Sequence, residues 1–284
     1  MFELILENKA GDQLTFAQNS AFTISEIQGL NPPNATINVS EIALIDGAKY
    51  NSAKLNVRTI NIAFAIEYDA AKNRVEMYKV LKSKQYVKMY YTGSYRKVYI
   101  EGYIESIDIT YFEMKQIVTC TILCPSPYFK DAQDIVDNLI NIFKSFHFPF
   151  ASPAEPELVF GYFSNSLGIT IDNDGDAECG MVIEMYARNA VSNPKIFNYT
   201  TSEYFGIQYD FQKADLVTID TRKGQKSVTF LRGGVETNLF NYIMQGSTWL
   251  QIAVGGSTFV YEVGSGKTAD LNTTFTHCSL YEGV

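Results

Sequence analysis

From Arg58 to Ile66 the chain changes side-chain character at every step. Ile60, Ile62, Phe64 and Ile66 are large and apolar, and Thr59, Asn61, Ala63 and Ala65 between them are small or polar. A period of two is the mark of a strand with one buried face, and it excludes a helix, whose apolar residues would recur every three or four positions. Leu4-Ile-Leu, Phe22-Thr-Ile and Ile37-Asn-Val repeat the pattern in shorter form, separated by the turn signals Asn31-Pro-Pro-Asn and Asp46-Gly. Tyr86 to Tyr91, Lys97 to Ile109 and Glu113 to Leu123 continue the series. With 19 Tyr and 19 Phe against a single Trp, the composition also favours pleated, half-buried surfaces. A mainly β protein is expected.

Two segments break the pattern. Asp69 to Lys82 places Val75, Tyr78 and Leu81 at helical spacing behind an Asp69 cap, which predicts a short helix. Asp131 to Phe143 places Ile135, Val136, Leu139, Ile140 and Phe143 on one helical face, with Asp131, Asp134 and Asp137 near the positive end of the dipole, and predicts a second. Pro125-Ser-Pro-Tyr closes the first sheet, and the prolines from Phe148 to Pro156 mark a connector. Domains are therefore expected at 1–150 and 151–284. Beyond the boundary, Asn173-Asp-Gly-Asp, Ser192-Asn-Pro, Lys223-Gly-Gln, Gly233-Gly and Gly255-Gly separate short strands, with helical periodicity only near Leu239 to Met244. That rhythm describes an antiparallel sandwich.

Charge divides the same way. Up to residue 150 there are 15 basic and 16 acidic side chains, and after it 8 and 15, so the halves carry −1 and −7 of the total −8. The acidic half would repel nucleic-acid phosphates and anionic lipid headgroups. The longest apolar run, 117–124, is far short of the roughly 20 residues of a membrane span. Met1-Phe-Glu-Leu-Ile-Leu-Glu lacks the cationic start of a secretory signal, so synthesis and retention in the cytosol are expected.

The chemistry-bearing residues are few. Cys120 and Cys124 fall on one face of a strand about 13 Å apart, too far to bridge. The remaining Cys179 and Cys278, with His147 and His277, supply no paired ligand spacing, so no metal site is expected. Gly264-Ser-Gly-Lys-Thr resembles the end of a phosphate loop, but the leading glycine position is Tyr261 and no amphipathic helix follows, which favours a β-turn. Asp172-Asn-Asp-Gly-Asp-Ala-Glu has the oxygen density of a calcium loop, yet Ala177 and Ile183 occupy the required glycine and bidentate-acid positions. A hairpin turn tolerant of positive φ is expected there. Lys72 to Tyr103 holds eight basic residues and seven tyrosines, a mixture found in single-strand-binding platforms and also on solvated or subunit-facing surfaces. No arrangement marks a catalytic centre, and neither a catalytic, a cofactor-binding nor a metal-binding residue is assigned.

Read in order, several segments resemble the distal tail protein family of long-tailed, siphovirus-type bacteriophages and prophages. They are Ile27-Gln-Gly-Leu-Asn-Pro-Pro, Asp46-Gly-Ala-Lys-Tyr, Arg58, Cys124-Pro-Ser-Pro-Tyr-Phe and Phe146-His-Phe-Pro-Phe in the first half. Ile171-Asp-Asn-Asp-Gly-Asp, Gly180-Met-Val-Ile-Glu, Asn193-Pro-Lys-Ile-Phe-Asn, Asn238 to Gln251 and Leu280-Tyr-Glu-Gly-Val follow in the second. The resemblance implies an N-terminal ring-forming β domain with one or two helices and a C-terminal galectin-like β-sandwich. It further implies a homohexameric ring at the tail tip or baseplate, joining the major tail tube protein to a tail-associated hub or lysin protein. The protein would be a structural, non-enzymatic virion component, assembled in the host bacterial cytoplasm, without cofactors, membrane contact or sequence-specific nucleic-acid binding. An acidic balance suits a channel through which a polyanion must pass without sticking. The chain lacks the long insertions that carry extra carbohydrate-binding modules in some members.

Two readings compete with this one. The sandwich could attach to cell-wall sugars through Trp249 and the tyrosines. A polysaccharide-cleaving enzyme is the other, without a supporting constellation.

Overall fold

The computed structural model describes residues 2–17, 20–43, 46–113, 115–139, 141–144, 161–164 and 168–284. It forms two compact units, Met1–Ala132 with Leu280–Val284, and Gln133–Ser279. The residues around position 150, where the prolines mark a connector, lie outside those described.

The first unit contains β1 (Glu3–Asn8), β2 (Gln13–Phe16), β3 (Phe22–Gln28), β4 (Ala35–Glu41), β5 (Ala48–Leu55), β6 (Arg58–Ile66), α1 (Ala70–Val80), β7 (Tyr86–Thr92), β8 (Lys97–Ile109), β9 (Gln116–Cys124) and β10 (Phe129–Asp131). One antiparallel sheet runs in the spatial order β2-β1-β7-β8-β9-β6-β3. β10 pairs with β8 on one side and with the chain's last strand, Leu280–Tyr281, on the other. The alternation from Arg58 onward does what its period requires: Ile60, Ile62 and Phe64 are fully buried against Leu4, Leu6, Met89, Ile100 and Ile122. The sheet also curls. Phe16 on β2 lies 6.0 Å from Phe22 on β3, and both rings meet Phe64, so the first and last strands of the path close around one core.

Helix α1 forms where its spacing predicts one, but it buries Met77, Val80 and the following Leu81, while Val75 stays 58% exposed. Asp69 occupies the N-cap position in the left-handed region, φ 43, and its side chain makes no capping hydrogen bond. The helix is held by its buried face and not by its cap.

The second unit comprises β11 (Ile135–Asn138), β12 (Asn141–Lys144), β13 (Gly161–Ser164), β14 (Gly168–Ile171), β15 (Met181–Ala187), β16 (Val191–Ser192), β17 (Lys195–Asn198), β18 (Glu203–Gly206), β19 (Asp210–Phe211), β20 (Leu216–Asp220), β21 (Ser227–Arg232), β22 (Val235–Asn238), β23 (Ser257–Glu262) and β24 (Leu271–His277); Leu280–Tyr281 is β25. Two antiparallel sheets, β11-β24-β15-β20-β21-β22 and β14-β23-β17-β18, make the sandwich. Their inner faces meet where Phe259 of β23 stacks on Phe275 of β24 at 5.5 Å, both fully buried.

The helix expected over 131–143 is absent among the described residues; β11 and β12 lie there instead. The β-branched pair Ile135-Val136 sits opposite His277 and Thr276 on β24, whose open edge satisfies the backbone of β11. Ile135 and Val136 are exposed there, and Leu139 turns into the core. The edge of an existing sheet outweighs helical spacing in a segment whose apolar residues include β-branched ones. Likewise, the helical periodicity near Leu239 amounts to one 3-10 turn, Phe240–Tyr242.

Asp215 supplies a pH probe of this unit. It is buried, and Arg232 donates to both its carboxylate oxygens at 2.9 and 2.6 Å while the Gln212 amide donates at 2.6 Å. Burial pushes the carboxyl up, but these hydrogen bonds outweigh it and hold it below its ordinary range. A depressed carboxylate stabilises the fold above its unfolded pKa, about 3.9, and that contribution is lost as pH falls through the lower folded value. In Arg232→Met the buried carboxylate loses its partner and its pKa rises. The variant is expected to be destabilised at neutral pH and to recover relative to the parent on acidification to about pH 4, in thermal melts across that range. A pH-independent difference between the two would refute this.

Candidate interaction surfaces

Three separated stretches of sequence converge on one guanidinium. Arg58, 2% exposed, begins β6 on the inward-facing phase of the strand. Its Nε donates to Pro127 O at 2.7 Å, Nη1 to Asn31 O at 2.7 Å and to Gly29 O, and Nη2 to Glu282 O at 2.6 Å. The guanidinium carbon lies 4.5 Å from the centre of the Phe129 ring. Burial lowers its pKa, while Cys124 and Glu282 act in the opposite direction; the group stays charged. Gly29 is obligatory here, since its φ is +92 and a Cβ would lie 2.3 Å from Thr59 O. The terminal segment is secured a second time by Arg96, which stacks on Tyr281 at 4.1 Å and donates to Gly283 O. Thus the chain leaves the first unit after Ala132 and returns to it at Leu280, where Arg58 fixes its end.

The second feature is an exposed hairpin. Among the described residues β4 and β5 pair only with each other, and every residue of both except Leu55 is exposed. Register, interrupted by a bulge between Asn38 and Val39, sorts most of their side chains onto two faces. Ala35 faces Leu55, Ile37 faces Ala53 and Val39 faces Tyr50, giving an apolar face. Thr36 faces Lys54, Asn38 faces Ser52 and Ser40 faces Lys49, giving a polar one, knit by hydrogen bonds from Asn38 to Ser52 and from Asn51 to Ser40. Ile37, Val39 and Tyr50 are 61%, 53% and 61% exposed. Alternation predicts a buried face at Ile37-Asn-Val; among the described residues nothing covers that face.

The other expected sites resolve differently. The loop 172–178 is no hairpin, because β14 and β15 belong to different sheets. Asn173 is buried and serves as its internal brace, donating to Ala177 O and Ile252 O and accepting from the Gly175 amide. Among the described residues no group of three or more His, Cys, Asp and Glu could hold a metal ion. Gly264 to Thr268 leads into a 3-10 turn of three residues, with Lys267 exposed and no α-helix to present amides to a phosphate. Cys120, Cys124 and Cys179 are free, buried and each pushed up to about 12, chiefly by burial. His277 is buried beside Asp137 at 3.2 Å, and His147 lies outside the described residues.

The lysine and tyrosine stretch forms a cross-strand ladder over β7 and β8. Lys88 lies 3.8 Å from the Tyr99 ring centre and 4.8 Å from that of Tyr90, while Lys130 pairs with Glu101 at 2.6 Å. Burial raises the Glu101 carboxyl, but hydrogen bonds from Lys130 and Tyr86 prevail and lower it. Of the stretch's basic residues Lys88 is therefore engaged by the protein's own rings, which weakens the strand-binding reading at that position. Trp249, the sugar-stacking candidate, is half-buried between Phe205 and Phe240 with Lys226 over its ring.

Comparison with known proteins agrees with this division. Residues 9–124 match the family described as phage tail protein RIFT-related domain, and residues 174–277 match the siphovirus-type tail component, C-terminal domain. The fold is similar to the crystal structure of SPP1 Dit, described as a paradigm of the hub adsorption apparatus in phages infecting Gram-positive hosts, with TM-score 0.69 and 12% identity over 99% of each chain. It is also similar to a chain of the phage P2 baseplate in its activated conformation with calcium, with TM-score 0.56 and 12% identity over 100% of each chain. No curated protein matches the sequence.

Proposed function

The chain belongs to the siphovirus-type tail component family, the distal tail proteins, and from that premise we propose that it acts as a ring-forming scaffold at the tip of a phage tail. Its role is structural, in the tail tip or baseplate of a virion. In this reading six copies close a ring through the first unit, the tail tube stacks on one side, the hub protein attaches on the other, and the sandwich unit is carried by the ring. No catalytic step is involved, and assembly takes place in the host cytoplasm.

The observation that carries the reading is the β4–β5 hairpin. A lone two-stranded hairpin is marginal in water, and an alternating strand pair exposing Ile37, Val39 and Tyr50 on one face lacks the surface that its own pattern calls for. A ring built from head-to-tail contacts supplies that surface six times, because the patch on one copy meets a different patch on the next. Light scattering after gel filtration, with negative-stain imaging, of the full chain alone and with its tube and hub proteins tests it. A closed six-membered ring in at least the ternary mixture is expected. Single copies persisting with both partners present would overturn the proposal.

A further inference from the structure

We propose that the sandwich unit carries a groove for a neutral oligosaccharide, lined by Asn193, Lys195, Gln208, Tyr209, Tyr242 and Glu262 and away from Trp249. Two adjoining cavities of about 330 and 540 Å³ share Asn193 and Gln208 as their common wall. Each falls in the range of small-ligand sites, and two subsites that share a wall suit an oligosaccharide better than a single sugar.

The frame is preformed. The Asn193 amide donates to Tyr209 O at 3.0 Å, that of Gln208 to Tyr242 O at 2.7 Å, and that of Gly264 to Ser192 O at 2.8 Å. Four chain segments are thereby tied together, and little ordering remains to be done when a ligand enters. Asn193 itself sits in the left-handed region at φ 52, a conformation retained at the point where the two cavities meet.

The chemistry of the lining selects the ligand. Among the described residues the side-chain amides of Asn193 and Gln208 have no hydrogen-bond partner within the chain, and an amide offers both donor and acceptor, as a sugar hydroxyl requires. Lys195 and Glu262 stand opposite each other in register on β17 and β23, yet form no ion pair. Tyr209 and Tyr242, in edge contact at 5.2 Å, add ring surface for the C–H side of a pyranose. Charge decides between glycans. Arg232 is neutralised by Asp215, which leaves Asp210 and Glu262 against Lys195, so a phosphate-bearing wall polymer is disfavoured and a neutral one is accepted.

The test is saturation-transfer NMR on the full chain with neutral trisaccharides of hexoses and N-acetylhexosamines, and with polyglycerol phosphate as the anionic comparator. At least one neutral trisaccharide is expected to bind in the millimolar range, about −4 kcal/mol at 1 mM. Gln208→Ala and Tyr242→Ala, checked for unchanged melting, are each expected to weaken it about tenfold, the loss of one well-placed contact. Tyr199→Ala, at an exposed position outside the groove, is expected to leave it unchanged. The proposal is overturned if no neutral trisaccharide binds, if both groove variants bind like the parent, or if polyglycerol phosphate alone binds. Gel filtration of the same variants separates this outcome from the ring reading, which does not depend on the groove.

Discussion

Replacing Arg58 by Met is expected to destabilise the first unit by about 3 kcal/mol or more and to free the chain's last five residues. Four carbonyls, those of Gly29, Asn31, Pro127 and Glu282, accept from this one side chain, and a buried acceptor stripped of its donor costs roughly 1–3 kcal/mol. Partial access of water to the terminal segment limits the sum, which is why the expected loss is well below four full penalties. Near neutrality the charge itself does not titrate, so the loss is not restored by changing pH between 5 and 8. Arg58→Lys recovers only part, because an ammonium has three donors without the planar fork, and loses the stacking on Phe129. Thermal melts and digestion by a carboxypeptidase measure both effects. The folded parent is expected to resist trimming at Val284, whose amide donates to Leu30 O, and the Met variant to lose its terminus rapidly. A melting point within about 2 °C of the parent, with an equally protected terminus, would show that Arg58 does not hold this junction.

Much of this was legible in the sequence. Arg58 stands two residues before Ile60, so the alternation that buries Ile60, Ile62 and Phe64 also points Arg58 inward. An obligatorily charged residue on the buried phase of a strand requires several acceptors, and Gly29, the Pro-Pro and Pro-Ser-Pro turns and the terminal Tyr-Glu-Gly-Val are the segments that bring carbonyls to it. The motifs that made the chain resemble a family are thus partly the binding partners of one side chain. Which segments meet was not legible, since the Glu282 contact spans 224 positions and no local pattern encodes such a distance. The failed helix at 131–143 has the same origin. Ile135 and Val136 fit either period over so short a run, and the deciding factor, the open edge of β24, lies about 140 residues away in the chain. The oligosaccharide groove was invisible for a related reason: Asn193, Gln208, Tyr242 and Glu262 come from four loops or strand ends and share no spacing. Trp249 drew attention as the single tryptophan, and packing between Phe205 and Phe240 uses it instead.

The hairpin permits a sharper experiment, because its alternation is readable in the sequence while its exposure is a property of the isolated chain. Ile37→Asp combined with Val39→Asp is expected to abolish assembly without lowering the melting temperature of the single copy. In the isolated chain both side chains are more than half exposed, so folding gains little from them and loses little when they become charged. In an assembled ring they are covered, and burying what remains exposed of two such side chains contributes about 2–3 kcal/mol at each contact, or roughly thirtyfold to a hundred-and-fiftyfold in affinity, before the cost of desolvating the new carboxylates. A closed ring multiplies the effect, since every contact carries the same defect. The polar face provides the control: Ser52→Asp alters the opposite side of the same strands and is expected to preserve assembly, with at most a small change in stability. If the double variant forms particles of parental size and abundance, the apolar face is not an interface, and the reading of this chain as a self-mating scaffold loses the observation on which it rests. If the double variant and Ser52→Asp both fail, the strand pair is held on two sides, and the contact is an insertion between neighbours in place of a one-faced docking.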